Sequence, residues 1–172
     1  MPETALICRV PEAESYIGHH RQRFDPPARR NVPAHVTVLY PFMEPSLIDD
    51  GVLSMLRGVA DSVPCFDYRL RELRRFPSSL YLAPDPGDSF AALTNGVHRM
   101  FPDYPPFAGK FEVVVPHVTI AHGDEPQLCE IEVELRIALP GAGVRARCEE
   151  MVLIENTTGI WQPLQTFALG GK

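Results

Sequence analysis

Two four-residue segments of this 172-residue chain nearly copy one another, His35-Val36-Thr37-Val38 and His117-Val118-Thr119-Ile120. Each alternates polar and β-branched apolar residues, the pattern of a half-buried strand. Residues two apart on a strand share a face, so each His and Thr point one way while the apolar pair backs them. A chain that carries this pattern twice must build the same polar face twice. No other feature narrows the fold as much.

The surroundings repeat too. Thr4 to Val10 reads as a strand, and Pro11 to Phe24 as a polar helix opened by proline and ended by Asp25-Pro26-Pro27. The strand His35 to Tyr40 follows. A capping box at Ser46 and Asp49 then starts a helix carried on by Leu53, Leu56, Ala60 and Val63, and Phe66 to Arg75 is extended. In the second half, Leu80 to Ala83 is a short strand. Asp88 opens a helix whose apolar stripe is Phe90, Leu93, Val97, Met100 and Phe101. Val115 to Ala121 is a strand, Glu125 to Leu139 a helix, Val144 to Glu155 a strand and Trp161 to Leu169 a last strand. Residues 129–139 also alternate with period two, as a strand would. Leu128, Ile131, Leu135 and Leu139 fit a helix as well, and the repeat demands a helix there. The expectation is one domain over residues 1–172, two similar lobes face to face, with repeats at 4–75 and 79–155 and a final strand at 161–169.

Composition removes several classes. The net charge is −6, with 16 Lys and Arg against 22 Asp and Glu, so a broad basic face for a long nucleic-acid tract is not expected. No apolar run is long enough for a membrane span, and Met1 to Pro11 has neither the basic start nor the apolar stretch of a signal peptide. Cys8, Cys65, Cys129 and Cys148 are scattered without a Cys-x-x-Cys pair, as in a reduced chain. A cytoplasmic monomer is the expectation.

The doubled motif suits a phosphate. Imidazole gains or loses a proton near neutral pH, and threonine hydroxyls on stiff β-branched side chains can donate to phosphate oxygens. With the lobes facing, His35 and His117 would flank one phosphorus, one taking a proton from water and the other giving one to the leaving oxygen. Thr37 and Thr119 would hold the phosphate. That step needs no metal and no cofactor, and its pH profile would be a bell with limbs near the usual histidine value of ~6.5. Only six histidines are present, which makes a doubled match a poor candidate for accident.

The sequence resembles the 2H phosphoesterase superfamily, named for two His-x-Thr/Ser motifs, and within it the 2′-5′ RNA ligase and RNA 2′,3′-cyclic phosphodiesterase branch. The matching pieces are AHVTVLYPF (34–42), RFPSSLYLAPDP (75–86), PHVTIAH (116–122) and the tail VLIENTTGIWQPLQTFALG (152–170). The resemblance implies an α+β fold of two pseudo-symmetric lobes, each an antiparallel β-sheet with helices, facing across a central cleft. It implies His35 and His117 as the acid/base pair and Thr37 and Thr119 as phosphate ligands. The implied reaction is hydrolysis of a small nucleotide or RNA-terminal cyclic phosphate, with reversible 2′-5′ RNA ligation, in which a 5′-hydroxyl takes the place of water, as a possible second activity. The competing reading is a non-catalytic module that binds a nucleotide or phosphate in the same cleft. Some relatives have arginine where this chain has His122, and strand parity would aim His122 away from His117 unless the strand ends there.

Other residues have plainer readings beside their functional ones. His122 could touch substrate or, with His117, a metal, but a strand-end position beside Gly123 suffices to explain it. Tyr40, Phe76 and Tyr81 could stack a base, against a default of core packing. His19 and His20, beside Arg21 and Arg23, read as a solvated helix face. His98 reads as a boundary residue and Trp161 as core. Arg69, Arg71, Arg74 and Arg75 read as a solvated strand edge more readily than as an RNA track.

Overall fold

The computed structural model describes residues 1–170. In chain order, β1 (Thr4–Arg9) leads through a 3₁₀ turn into α1 (Glu14–Phe24) and the short α2 (Pro26–Arg29), then β2 (His35–Leu39). Next come α3 (Asp50–Asp61), β3 (Phe66–Phe76), β4 (Ser79–Asp85), α4 (Asp88–Met100), β5 (Val118–His122) and α5 (Glu125–Ala138). β6 (Val144–Cys148), β7 (Glu150–Glu155) and β8 (Gln162–Ala168) close the chain. The strands form two four-stranded sheets in the orders β2-β1-β7-β8 and β5-β4-β3-β6, every adjacent pair antiparallel.

The fold is α+β, with two pseudo-symmetric lobes. β2 matches β5 as the edge strand of its sheet, and β1 matches β4 beside it. The strands are not shared out by sequence halves. β3, at the end of the first repeat, pairs with β4, and β7 returns to pair with β1. Helices also cross between lobes: α1 packs on β5, and α4 packs on β2. One apolar cluster runs through both lobes, from Leu6 and Val36 to Val118 and Leu135.

The expected single strand over Val144 to Glu155 is two strands in different sheets. Its first half, Val144-Arg145-Ala146-Arg147-Cys148, alternates buried and exposed residues and sits on an edge. Its second half, Met151 to Ile154, is apolar throughout because β7 is central and covered on both faces. Met151 and Leu153 join the main core, while Val152 and Ile154 join a smaller cluster with Ala5, Ile7, Val32 and Trp161.

Caps place the helices. Asp49, and not Ser46, caps α3: its side chain accepts from the Val52 N–H at 2.8 Å, and Ser46 lies in the preceding 3₁₀ turn. Asp124 does the same for α5, accepting from Gln127 N–H at 3.0 Å. Residues 125–138 are helical, with Leu128, Ile131 and Leu135 buried, while Val133 and Ile137 are left exposed. At Asp88 the side chain makes no cap bond. No helix among the described residues is long and apolar enough to cross a membrane.

Candidate active site

β2 and β5 face each other as the inner edges of the two lobes. Val36 and Val38 are 1% exposed, and Val118 and Ile120 are fully buried, whereas His35, Thr37, His117 and Thr119 are half-buried. His117 itself precedes β5, which begins at Val118 and not at Val115. Each imidazole is anchored in the same way. Nδ1 of His35 bonds the carbonyl of Pro33 at 2.8 Å, and Nδ1 of His117 bonds that of Val115 at 2.7 Å. A carbonyl can only accept, so Nδ1 carries a proton on both rings, and Nε2 is the nitrogen left to gain or lose one.

Both strands bulge directly after the motif. Against β1, Thr37 pairs with Ile7 and Leu39 with Leu6, leaving Val38 as the extra residue. Against β4, Thr119 pairs with Tyr81 and Ala121 with Leu80, leaving Ile120 extra. A bulge resets strand parity. It therefore returns Tyr40 to the side of His35, and His122 to the side of His117. The expectation that His122 points away fails for this reason. The first bulge is held by α4, whose buried Thr94 hydroxyl donates to the Val38 carbonyl at 2.7 Å.

The sequence model of the 2′-5′ RNA ligase superfamily matches residues 10–159. The chain belongs to the 2′-5′ RNA ligase superfamily. No functionally curated protein matches it. Among solved structures, E. coli LigT in its apo form shares 19% identity and a TM-score of 0.63, covering 99% of both chains. E. coli LigT complexed with 3′-AMP shares 17% identity with a TM-score of 0.62, covering 99% of this chain and 100% of that one. TT0787 of Thermus thermophilus shares 17% identity with a TM-score of 0.62, covering 99% of both. These likenesses establish the fold.

In this member of the superfamily, burial dominates the electrostatics of the histidine pair. Burial pushes His35 down to about 4, with the Arg21 and His117 charges adding to the shift and the Pro33 carbonyl and Asp25 opposing it. Burial also lowers His117 below its ordinary value, and His122 adds to that.

Cavities flank the first motif on both sides. One, of about 270 Å³, is lined by His35, Thr37, Tyr40, Arg30, Trp161 and Pro27 among others. Tyr40 donates its hydroxyl to Glu3 at 3.1 Å and meets Trp161 edge-on, with centroids 6.2 Å apart. The other, of about 380 Å³, is lined by Thr37, Asn95, His98, Phe111 and Pro116, among others. Thr37 touches both. At the second motif, Phe76 and Tyr81 stack on each other at 4.3 Å, and both meet the His117 ring edge-on, at 5.1 and 5.5 Å. They buttress the imidazole from the side.

Several groups escaped sequence reasoning. Arg21 and Asp25 form a buried pair: Nε and one terminal nitrogen of Arg21 donate to Asp25 Oδ2 at 3.1 and 2.8 Å. The other carboxylate oxygen lies 3.6 Å from His122 Nε2. The solvated-face reading of this helix holds for His19 and Arg23, which are exposed, and is corrected for His20 and Arg21, which are 5% and 2% exposed where α1 lies on β5 and α5. An acid directly before a Pro-Pro stop gives no signal that it will reach a histidine on another lobe. Trp161 is buried as expected, yet it also walls the cavity beside His35. His98 shares the second cavity with Thr37, and its Nδ1 is buried without a partner. Two of the four arginines of the basic strand are paired with acids: Arg74 with Glu72 at 2.6 Å, and Arg75 with Glu132 at 2.7 Å.

Proposed function

We propose that the protein is a metal-independent phosphodiesterase that opens a 2′,3′-cyclic phosphate at the end of an RNA or on a nucleoside. The observation that carries the reading is the matched pair of imidazoles, each anchored through Nδ1 and each beside a threonine on an inner edge strand. Nε2 of neutral His35 takes a proton from water as the water oxygen attacks phosphorus. Protonated His117 gives its Nε2 proton to the ribose oxygen that leaves. The P–O bond of the ring breaks, a phosphomonoester remains, and the two rings have exchanged protonation states. Thr37 and Thr119 donate to the non-bridging oxygens as charge gathers there. Tyr40 and Trp161 offer aromatic surface for the base, and His122 stands on the His117 side within reach of the phosphate. The two cavities that meet at Thr37 leave room for a nucleoside on each side of the phosphate, as a 2′-5′ linkage would need, while a terminal cyclic phosphate would fill only one of them.

The test is a panel of nucleoside 2′,3′-cyclic phosphates, RNA ends bearing that group and 2′-5′ dinucleotides, each with and without EDTA. Turnover of at least one, unchanged by chelation, is expected. Binding of a nucleotide without turnover of any substrate would make the cleft a sensing module. Loss of rate on chelation, restored by zinc or manganese, would overturn the two-histidine step.

The lowered values of the pair set a pH profile. The base must be neutral and the acid protonated, so kcat/KM rises as His35 loses its proton near pH 4 and falls as His117 loses its own below ~6.5. The bell therefore lies to the acid side of the sequence expectation, with kcat/KM falling between pH 6.5 and 8. A profile still rising between pH 6.5 and 8 would refute these roles.

A further inference from the structure

We propose that His19, His20 and Glu134 form a divalent transition-metal site, suited to zinc, that ties α1 to α5. One nitrogen of each imidazole and one oxygen of the carboxylate all lie within 4.8 Å of one another. The two rings are 3.8 Å apart and tilted by 40°. His20 Nε2 lies 3.5 Å from Glu134 Oε2. That distance is long for an N–H···O bond, whose usual range ends near ~3.2 Å. It matches the edge of a zinc tetrahedron, which is about 3.4 Å for metal–ligand bonds of about 2.0–2.1 Å. Two imidazoles in contact cannot both be protonated cheaply, whereas a cation at the rim of the pair, reached by one ring nitrogen of each after a small turn of the exposed His19 side chain, satisfies both lone pairs and the carboxylate together.

The surroundings fit a site that a metal can enter. His20 is 5% exposed and fixed by the packing of α1, while His19 and Glu134 are exposed. The three residues line a cavity of about 190 Å³ with Gln127 and Glu130, which leaves room for water as a fourth ligand. Arg23, the basic side chain in the same cavity wall, lies with its guanidinium 5.0 Å over the Phe24 ring. The site touches neither His35 nor His117. Its effect is mechanical: α1 carries Arg21 and leads straight into Asp25, and clamping it to α5 fixes the helix that brings Asp25 to His122.

The test uses the full chain, stripped with EDTA, returned to chelator-free buffer and titrated with zinc or cobalt chloride. Zinc at a hundredfold excess over Kd is expected to raise Tm by about 5–10 °C, and cobalt to give the visible d–d band of a tetrahedral site. Both signals should vanish in His19→Ala and in Glu134→Gln, exposed positions whose replacement leaves the fold intact. Magnesium should do nothing, because a site with two imidazoles disfavours it. Absence of any zinc shift in the unsubstituted chain, an equal shift with magnesium, or a zinc shift that survives in both variants would overturn the site. None of these readouts depends on turnover, so they stand apart from the cyclic phosphate assay.

Discussion

Replacing His35 or His117 by alanine lowers kcat on the best cyclic phosphate by about 10²–10⁴-fold. Replacing both costs little more than the worse single change, because acid and base act as one unit. The fold survives each substitution. Both rings are half-buried at the edges of their sheets, and the strands are held from behind by Val36, Val38, Val118 and Ile120. The pH profiles separate the roles. His35→Ala should lose the acidic limb, and His117→Ala the limb on the alkaline side. A variant of either kind that folds by circular dichroism and turns over at the unsubstituted rate would sink the mechanism.

The two polar faces and their strands were legible because β-branched alternation is a local signal, whereas their positions at the sheet edges come from strand pairing. His35, Thr37, His117 and Thr119 could be picked from period two alone. The Val38 and Ile120 bulges could not, since a bulge is defined only against the partner strand, β1 or β4. With them went the orientation of Tyr40 and His122. The break near Glu149 left a trace, the change from alternating Val144-Arg145-Ala146 to continuous Met151-Val152-Leu153-Ile154, which marks a passage from edge to centre of a sheet. In residues 125–138, Val133 and Ile137 mimic a strand because helix α5 leaves apolar side chains in water. There, the repeat around the segment was a better guide than its own periodicity.

The far walls of the site were illegible for a different reason. Asp25, held by Arg21, comes beside His122 because α1 packs on β5 of the opposite lobe, and Trp161 walls the His35 cavity because β7 and β8 return to the first sheet. Both depend on long-range topology. A polar helix with two histidines and two arginines looks solvated until the surface that covers it is known. His20 at 5% exposure measures how far that surface overrides local polarity.

The hydroxyls decide whether the motif is a phosphate site or only a pair of buttressed histidines. Thr4 and Thr94 are buried with their hydroxyls committed to the Met43 and Val38 carbonyls, at 2.6 and 2.7 Å. Thr37 and Thr119 are half-buried at the inner edge strands, and Thr37 opens on both cavities. Valine keeps the branched shape and the strand while removing the donor. Charge builds on the non-bridging oxygens as water attacks, so losing one donor aimed at them should lower kcat by about 10- to 1000-fold. Stability should change little, within about 0.5 kcal/mol, because neither half-buried hydroxyl bonds another group among the described residues. Thr37→Ser and Thr119→Ser return the hydroxyl without the methyl group and should recover most of the rate. If both valine variants turn over normally, or if serine fails to rescue a slow valine variant, the threonines are packing residues and the phosphate is held elsewhere.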